Sequence, residues 1–158
     1  MKIIGLTGGS GAGKTLVSQS FVTLGAGTVD ADAVYRTLCD TCRSMLDGLA
    51  TAFGPVLTPD GSLDRPKLAS IVFADPDRLR QLNALTFPYI RAASEQRFAE
   101  LQAQGKPVVL YDAPTLFQTG ADALCEDVIG VIASRETRVQ RIMARDGLTR
   151  EAACARIA

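Results

Sequence analysis

Gly8-Gly9-Ser10-Gly11-Ala12-Gly13-Lys14-Thr15 is a stretch whose residue types and spacing suit one task, holding a polyphosphate. It fits the pattern of Gly, four residues, then Gly-Lys-Thr. Gly8, Gly11 and Gly13 let the backbone turn where other residues cannot and approach an anion without a Cβ in the way, so successive N–H groups can converge on phosphate oxygens. Lys14 has the reach for β- and γ-phosphates, and the Thr15 hydroxyl suits Mg²⁺, which otherwise keeps waters and phosphate oxygens as ligands. This chemistry needs a strand before the loop and a helix after it. Lys2 to Leu6 is a short apolar run that reads as a buried parallel strand, and Lys14 to Leu24 is predicted helical with Val17, Phe21 and Leu24 on one face. The helix start would add unpaired N–H groups and the positive dipole end to the same anion.

The chain has no histidine, so a general base must be a carboxylate, Lys, Cys or Tyr. Two carboxylates stand at the carboxyl end of a predicted second strand, Thr28 to Asp30, in the sequence Asp30-Ala31-Asp32. Ligands of an open parallel sheet sit at that edge. One aspartate is expected to cap a helix beginning near Ala33 and the other to face the phosphates. Asp112 follows a third predicted strand, Val108 to Tyr111, where it either assists Mg²⁺ through a water or serves as a turn residue. Val128 to Ala133 reads as the fourth strand. Ser134 then caps a helix with Val139, Ile142 and Met143 on one face and Arg138, Arg141 and Arg145 on another. Such a stripe is either a solvated face or a supply of cations for the charge of a migrating phosphoryl group.

Between the second and third strands the patterning is helical throughout. Met45, Leu46, Leu49 and Phe53 share a face before Gly54-Pro55, and Pro59-Asp60-Gly61 is turn chemistry. Asp64-Arg65-Pro66 and Asp75-Pro76 both read as helix starts, and Thr86-Phe87-Pro88 is expected to interrupt the last helix before Gly105. Gly25 and Gly27 are expected to end the first helix. A crossover this long exceeds what one helix needs, and predicts an inserted helical lobe that either binds a second substrate or forms a supporting helical layer. The expected division is a core of residues 1–32 and 106–133, an insertion of 33–105 and further helices over 134–158.

With 158 residues, 47% of them hydrophobic and 22% charged, the chain suits one α/β domain. Seventeen basic residues balance seventeen acidic ones, which argues against a nucleic-acid or membrane-surface partner. No apolar run reaches membrane-spanning length, and the chain opens directly on its first strand, leaving no room for a signal sequence, so a cytoplasmic location is expected. Cys39 and Cys42 form a Cys-x-x-Cys without a second pair or a histidine. With Cys125 and Cys154, they are expected to be reduced structural thiols, the first two lying within a helix.

Taken together, the opening Gly-Leu-Thr-Gly-Gly-Ser-Gly-Ala-Gly-Lys-Thr, Val29-Asp30-Ala31-Asp32 with Arg36 behind it, Gly61-Ser62-Leu63-Asp64-Arg65, and Asp112-Ala113-Pro114-Thr115-Leu116-Phe117 resemble the dephospho-CoA kinase family. The resemblance spans the whole chain and implies a three-layer P-loop NTPase fold with a parallel sheet in the order 2-3-1-4, an inserted helical acceptor lobe and a partial lid. It implies that ATP, with Mg²⁺, phosphorylates the ribose 3′-hydroxyl of dephospho-CoA, a small-molecule partner. The implied catalytic residues are Asp32 as base, Lys14 and Arg141. ATP would meet Gly11, Ala12, Gly13, Lys14, Thr15, Leu16 and Arg145, the metal would meet Thr15, and the acceptor would meet Asp32, Arg36, Asp64, Arg65, Asp112 and Pro114. The sequence departs from the family pattern at Phe87, Thr115 and Gln118, where His, Leu and Glu are usual. Family members also continue past residue 158 into a fifth strand, missing here, whose loop helps hold adenine. Competing readings are another small-molecule or nucleotide kinase and a non-catalytic nucleotide-binding module. A GTPase would need Asn-Lys-x-Asp for guanine, and the only asparagine is Asn83.

Overall fold

The computed structural model describes residues 1–157 and divides into two compact units, one of Met1–Val29 with the chain from Glu100 onward, the other of Asp30–Ala99. The first unit is built on a parallel sheet in the order β2-β3-β1-β4, as expected. Its strands are β1 (Lys2–Thr7), β2 (Gly27–Asp30), β3 (Val108–Asp112) and β4 (Asp127–Gly130). β1 runs through the middle, pairing Lys2 to Leu6 with Val108 to Asp112 on one side and Ile4 to Thr7 with Asp127 to Gly130 on the other. Leu6, Val109, Leu110 and Tyr111 are fully buried. Such apolar continuity is what a strand covered on both faces requires.

β4 is shorter than the run Val128 to Ala133 suggested. Val131 still donates its N–H to the Thr7 carbonyl at 2.8 Å, but β1 then turns into the glycine loop and offers no further partner. Ile132 consequently lies in solvent, 92% exposed. The apolar run marked a strand correctly, and its length was set by the neighbour.

Helix α1 (Lys14–Thr23) departs from expectation as well. Val17 and Phe21 are half-buried, whereas Leu24 lies beyond the last helical residue and is exposed. Gly25 alone ends the helix, with φ of 95°. Gly27 instead begins β2, where a Cβ would lie 3.0 Å from both Leu101 methyl carbons.

The second unit holds α2 (Ala31–Thr41), α3 (Arg43–Phe53), α4 (Arg65–Phe73) and most of α5 (Pro76–Ala103). The starts of α2, α4 and α5 follow from a carboxylate, whereas α3 starts after Cys42 with no side-chain cap. Asp30 Oδ1 accepts from the Asp32 and Ala33 N–H groups, Asp64 Oδ1 from Lys67 N–H at 3.1 Å and Asp75 Oδ1 from Asp77 N–H at 2.8 Å. Cys39, Met45, Leu46, Leu49, Phe53, Val56, Leu68 and Val72 form one core. Cys42 sits at the joint between α2 and α3, not inside a helix as its spacing suggested. All four cysteines are free thiols. Leu57 and Leu63 form an isolated antiparallel bridge across the Pro59-Asp60-Gly61 turn, where Gly61 takes φ of 85°. Leu49 is fully buried at the centre of this core, so Leu49→Ala is expected to cost about 2–5 kcal/mol of stability, read as a lower urea midpoint at unchanged slope.

The expected interruption at Thr86-Phe87-Pro88 does not occur, and α5 runs through Pro88 for 28 residues. A proline inside a helix removes one N–H and costs about 3 kcal/mol. Leu82 and Leu85 before it and Tyr89 after it all pack, partly buried, on the same core, and a helix that continues through the proline keeps all three there. The Thr86 hydroxyl, donating to the Leu82 carbonyl at 2.8 Å, adds a bond one turn before the gap.

In the first unit, Ser134 caps α6 (Arg135–Asp146), Gly147 ends it at φ of 65°, and Thr149 caps α7 (Arg150–Ala155). Val139, Ile142 and Ala153 bury the two helices against each other. Arg150 donates to both carboxylate oxygens of Glu136, at 2.9 and 2.6 Å, and this holds the Glu136 carboxyl below its ordinary range.

Candidate active site

The loop from Gly8 to Gly13 leaves the carboxyl end of β1 and enters α1. Gly11 and Gly13 have φ of 76° and 111°, in the left-handed region that a side chain would strain. α1 starts at Lys14 with Gly13 as its N-cap and no side-chain cap, so no side chain occupies its amino end. The Ala12 N–H bonds back to the Gly9 carbonyl at 3.0 Å and the Leu16 N–H to that of Gly13 at 3.1 Å, which fixes the loop's curvature. Lys14 Nζ donates to the Gly8 carbonyl at 2.9 Å and bridges the loop from end to start. A cation lies across a concave run of N–H groups at a helix start, an arrangement suited to phosphate.

The arginine stripe of α6 divides. Arg138 Nε donates to the Ser10 carbonyl at 2.8 Å, and Arg141 Nη1 donates to those of Ala12 and Gly11 at 2.9 and 3.3 Å. Arg145 instead forms a two-pronged pair with the adjacent Asp146, at 2.7 and 2.8 Å, in a largely exposed position. Arg138 was not among the candidate site residues, yet it makes the shortest of the three bonds to the loop. Its position in the stripe was the available signal. What decides between a solvated arginine and a loop contact is the packing of α6, which a sequence does not display.

Asp112 and Pro114 lie where β1 gives way to the loop. Asp112 is opposite Leu6 in the sheet register, and the Pro114 carbonyl accepts from the Thr7 hydroxyl at 3.3 Å. The remaining candidates belong to the helical unit. Asp30 takes the capping role, which places Asp32 in the first turn of α2. Arg36 Nε donates to the Asp32 backbone carbonyl at 3.2 Å. Asp64 caps α4, and Arg65 pairs with Asp40 of α2 at 3.2 Å.

Burial and the nearby Asp122 raise the Cys125 thiol to about 11, which makes it a poor nucleophile at neutral pH. Burial likewise raises the thiol of Cys39. Among the described residues no cluster of three or more His, Cys, Asp or Glu could hold a metal. The Thr15 hydroxyl at the start of α1 is a donor of the kind that fits Mg²⁺ bringing phosphate oxygens and waters as its other ligands.

A parallel sheet whose central strand passes through this loop into a helix defines a phosphate-binding protein of the P-loop NTPase fold. The sequence model of the CoaE dephospho-CoA kinase family matches residues 2–158. A dephospho-CoA kinase of Geobacter sulfurreducens is 45% identical over 100% of this chain and 81% of its own length. One from Streptomyces avermitilis is 46% identical over 98% of this chain and 75% of its own. Among solved structures, TT1252 from Thermus thermophilus superposes with a TM-score of 0.79 at 35% identity, covering 98% of this chain and 78% of that one. The dephospho-CoA kinase from Campylobacter jejuni gives 0.64 at 26% identity, with 99% and 79% covered. The chain belongs to the dephospho-CoA kinase family.

Proposed function

We propose that this chain transfers the γ-phosphoryl group of ATP to the ribose 3′-hydroxyl of dephospho-CoA, giving coenzyme A and ADP in the last step of coenzyme A synthesis. The observation that carries the reading is the family match over residues 2–158, joined to a loop with the backbone form and cation that a polyphosphate requires. In the transfer, a bond forms between the ribose oxygen and the γ-phosphorus as the bond from that phosphorus to the bridging oxygen breaks, and ADP departs with the electron pair. Asp32 accepts the proton of the hydroxyl. Lys14, Gly11, Ala12, Gly13 and Leu16 cradle the phosphates, with Arg141 and Arg145 near the nucleotide. Bound Mg²⁺ would neutralise phosphate charge, held on the protein side by Thr15.

The helical unit is assigned to the acceptor, with Arg36, Asp64, Arg65, Asp112 and Pro114 as its contacts, and the helices after Ser134 are assigned to a lid. No helix among the described residues is long and apolar enough to cross a membrane, and a cytoplasmic location without nucleic-acid partners is part of the proposal.

A coupled ADP-release assay across dephospho-CoA, adenosine, shikimate and nucleoside monophosphates tests the reading. Dephospho-CoA is expected to give the highest kcat/KM. A preference for another acceptor would make this a different small-molecule kinase, and ATP binding with no acceptor-dependent release would leave only a binding module.

A further inference from the structure

We propose that Arg138 is a positioning residue for the phosphate loop, setting ATP affinity by holding the loop's carbonyls away from the anion. Arg138 and Arg141 together engage the carbonyls of Ser10, Gly11 and Ala12, three consecutive residues. A peptide plane whose carbonyl is fixed on one side presents its N–H on the other, so cations bonded to the outer carbonyls orient and polarise inner donors.

Of the two arginines, Arg138 is the more tightly built in. A Cβ on Gly9 would lie 2.5 Å from its Nη2 and 2.9 Å from its Cζ, so its guanidinium occupies the space that a side chain at position 9 would need. A Cβ on Gly11 would meet the Arg138 carbonyl at 2.7 Å, so the loop also rests on the backbone of α6 at this residue. Arg138 is half-buried, while Arg141 is exposed. The contact joins residues 128 positions apart, so it arises from tertiary packing and not from the local turn.

Calorimetric titration with MgATP in the absence of any acceptor reads this directly, beside steady-state kinetics. Arg138→Met keeps the stem that packs on the loop and removes the donors. It is expected to raise Kd and KM for ATP about tenfold while kcat stays within about threefold, because a loop that must be ordered by the ligand weakens binding before it weakens chemistry. An unchanged Kd overturns the proposal.

Arg138→Lys keeps a cation of similar reach and is expected to recover part of the affinity. If it melts like the wild type yet binds ATP no better than Arg138→Met, the contact does not set the loop. Gly9→Ala attacks the same contact from the other side, and its cost should be largely absent in the Arg138→Met background. Additive losses would also overturn the proposal. The inference rests on the kinase reading only in taking ATP as the ligand. A wild type that binds ATP without phosphorylating dephospho-CoA would refute that reading and still leave the role of Arg138 measurable.

Discussion

Replacing Lys14 by alanine is expected to abolish detectable transfer and to remove much of the ATP affinity in the same step. The lysine bridges the loop to the Gly8 carbonyl, and it is the cation that would meet the β- and γ-phosphates in the ground state and the migrating phosphoryl group in the transition state. An interaction made in the ground state and strengthened in the transition state contributes to KM and kcat together. Hence the variant should fail in titration as well as in turnover, by at least about a hundredfold in kcat/KM. The fold should survive, since Lys14 opens a helix whose own residues are not deeply buried. A Lys14→Ala protein with near-wild-type turnover would remove the loop from the mechanism.

Asp32→Asn is expected to separate those two effects. A ribose hydroxyl is a weak nucleophile whose proton must leave during transfer, and this chain has no histidine to take it. Of the two aspartates where β2 passes into α2, Asp30 is committed to the amino end of α2 by two bonds, at 2.8 and 3.0 Å. Asp32 follows in the first turn. Asparagine at 32 keeps the shape but lacks the basicity, so turnover should fall by about 10²- to 10⁴-fold with little change in ATP affinity. Asparagine at 30 still caps a helix, so Asp30→Asn should fold normally and keep most of its activity. Single-turnover transfer in both variants decides the matter. A larger loss in Asp30→Asn would move the assignment two residues upstream.

What could be read from the sequence was whatever local chemistry dictates. The loop is legible because few residue types other than glycine tolerate its φ angles, and because Lys14 and Thr15 have fixed places after it. The starts of α2, α4, α5 and α6 are legible because Asp30, Asp64, Asp75 and Ser134 each satisfy N–H groups two or three residues ahead. The order of the strands came from the family resemblance and not from any pattern in the strands themselves.

What could not be read depended on partners distant in the chain. β4 stops where β1 stops, Pro88 is accommodated because both of its flanks pack on one core, and Arg138 reaches Ser10 across 128 positions. Leu24 reads as part of an apolar face, but the helix ends one residue before it.

The central place of β1 has a consequence during synthesis. Of the four strands it is the first to be made, and both of its neighbours come late, at residues 108–112 and 127–130. At about 5–20 residues per second, the ribosome needs roughly 5–20 s to produce the first of them. For that interval Lys2 to Thr7 is an apolar strand with two open edges, the form most ready to pair with another chain. The phosphate loop waits longer still, because its carbonyls gain their anchors only when Arg138 and Arg141 emerge. The helical unit, whose contacts are nearer in sequence, is complete well before then. The strand at the centre of the sheet is thus made before either of the strands that cover its edges.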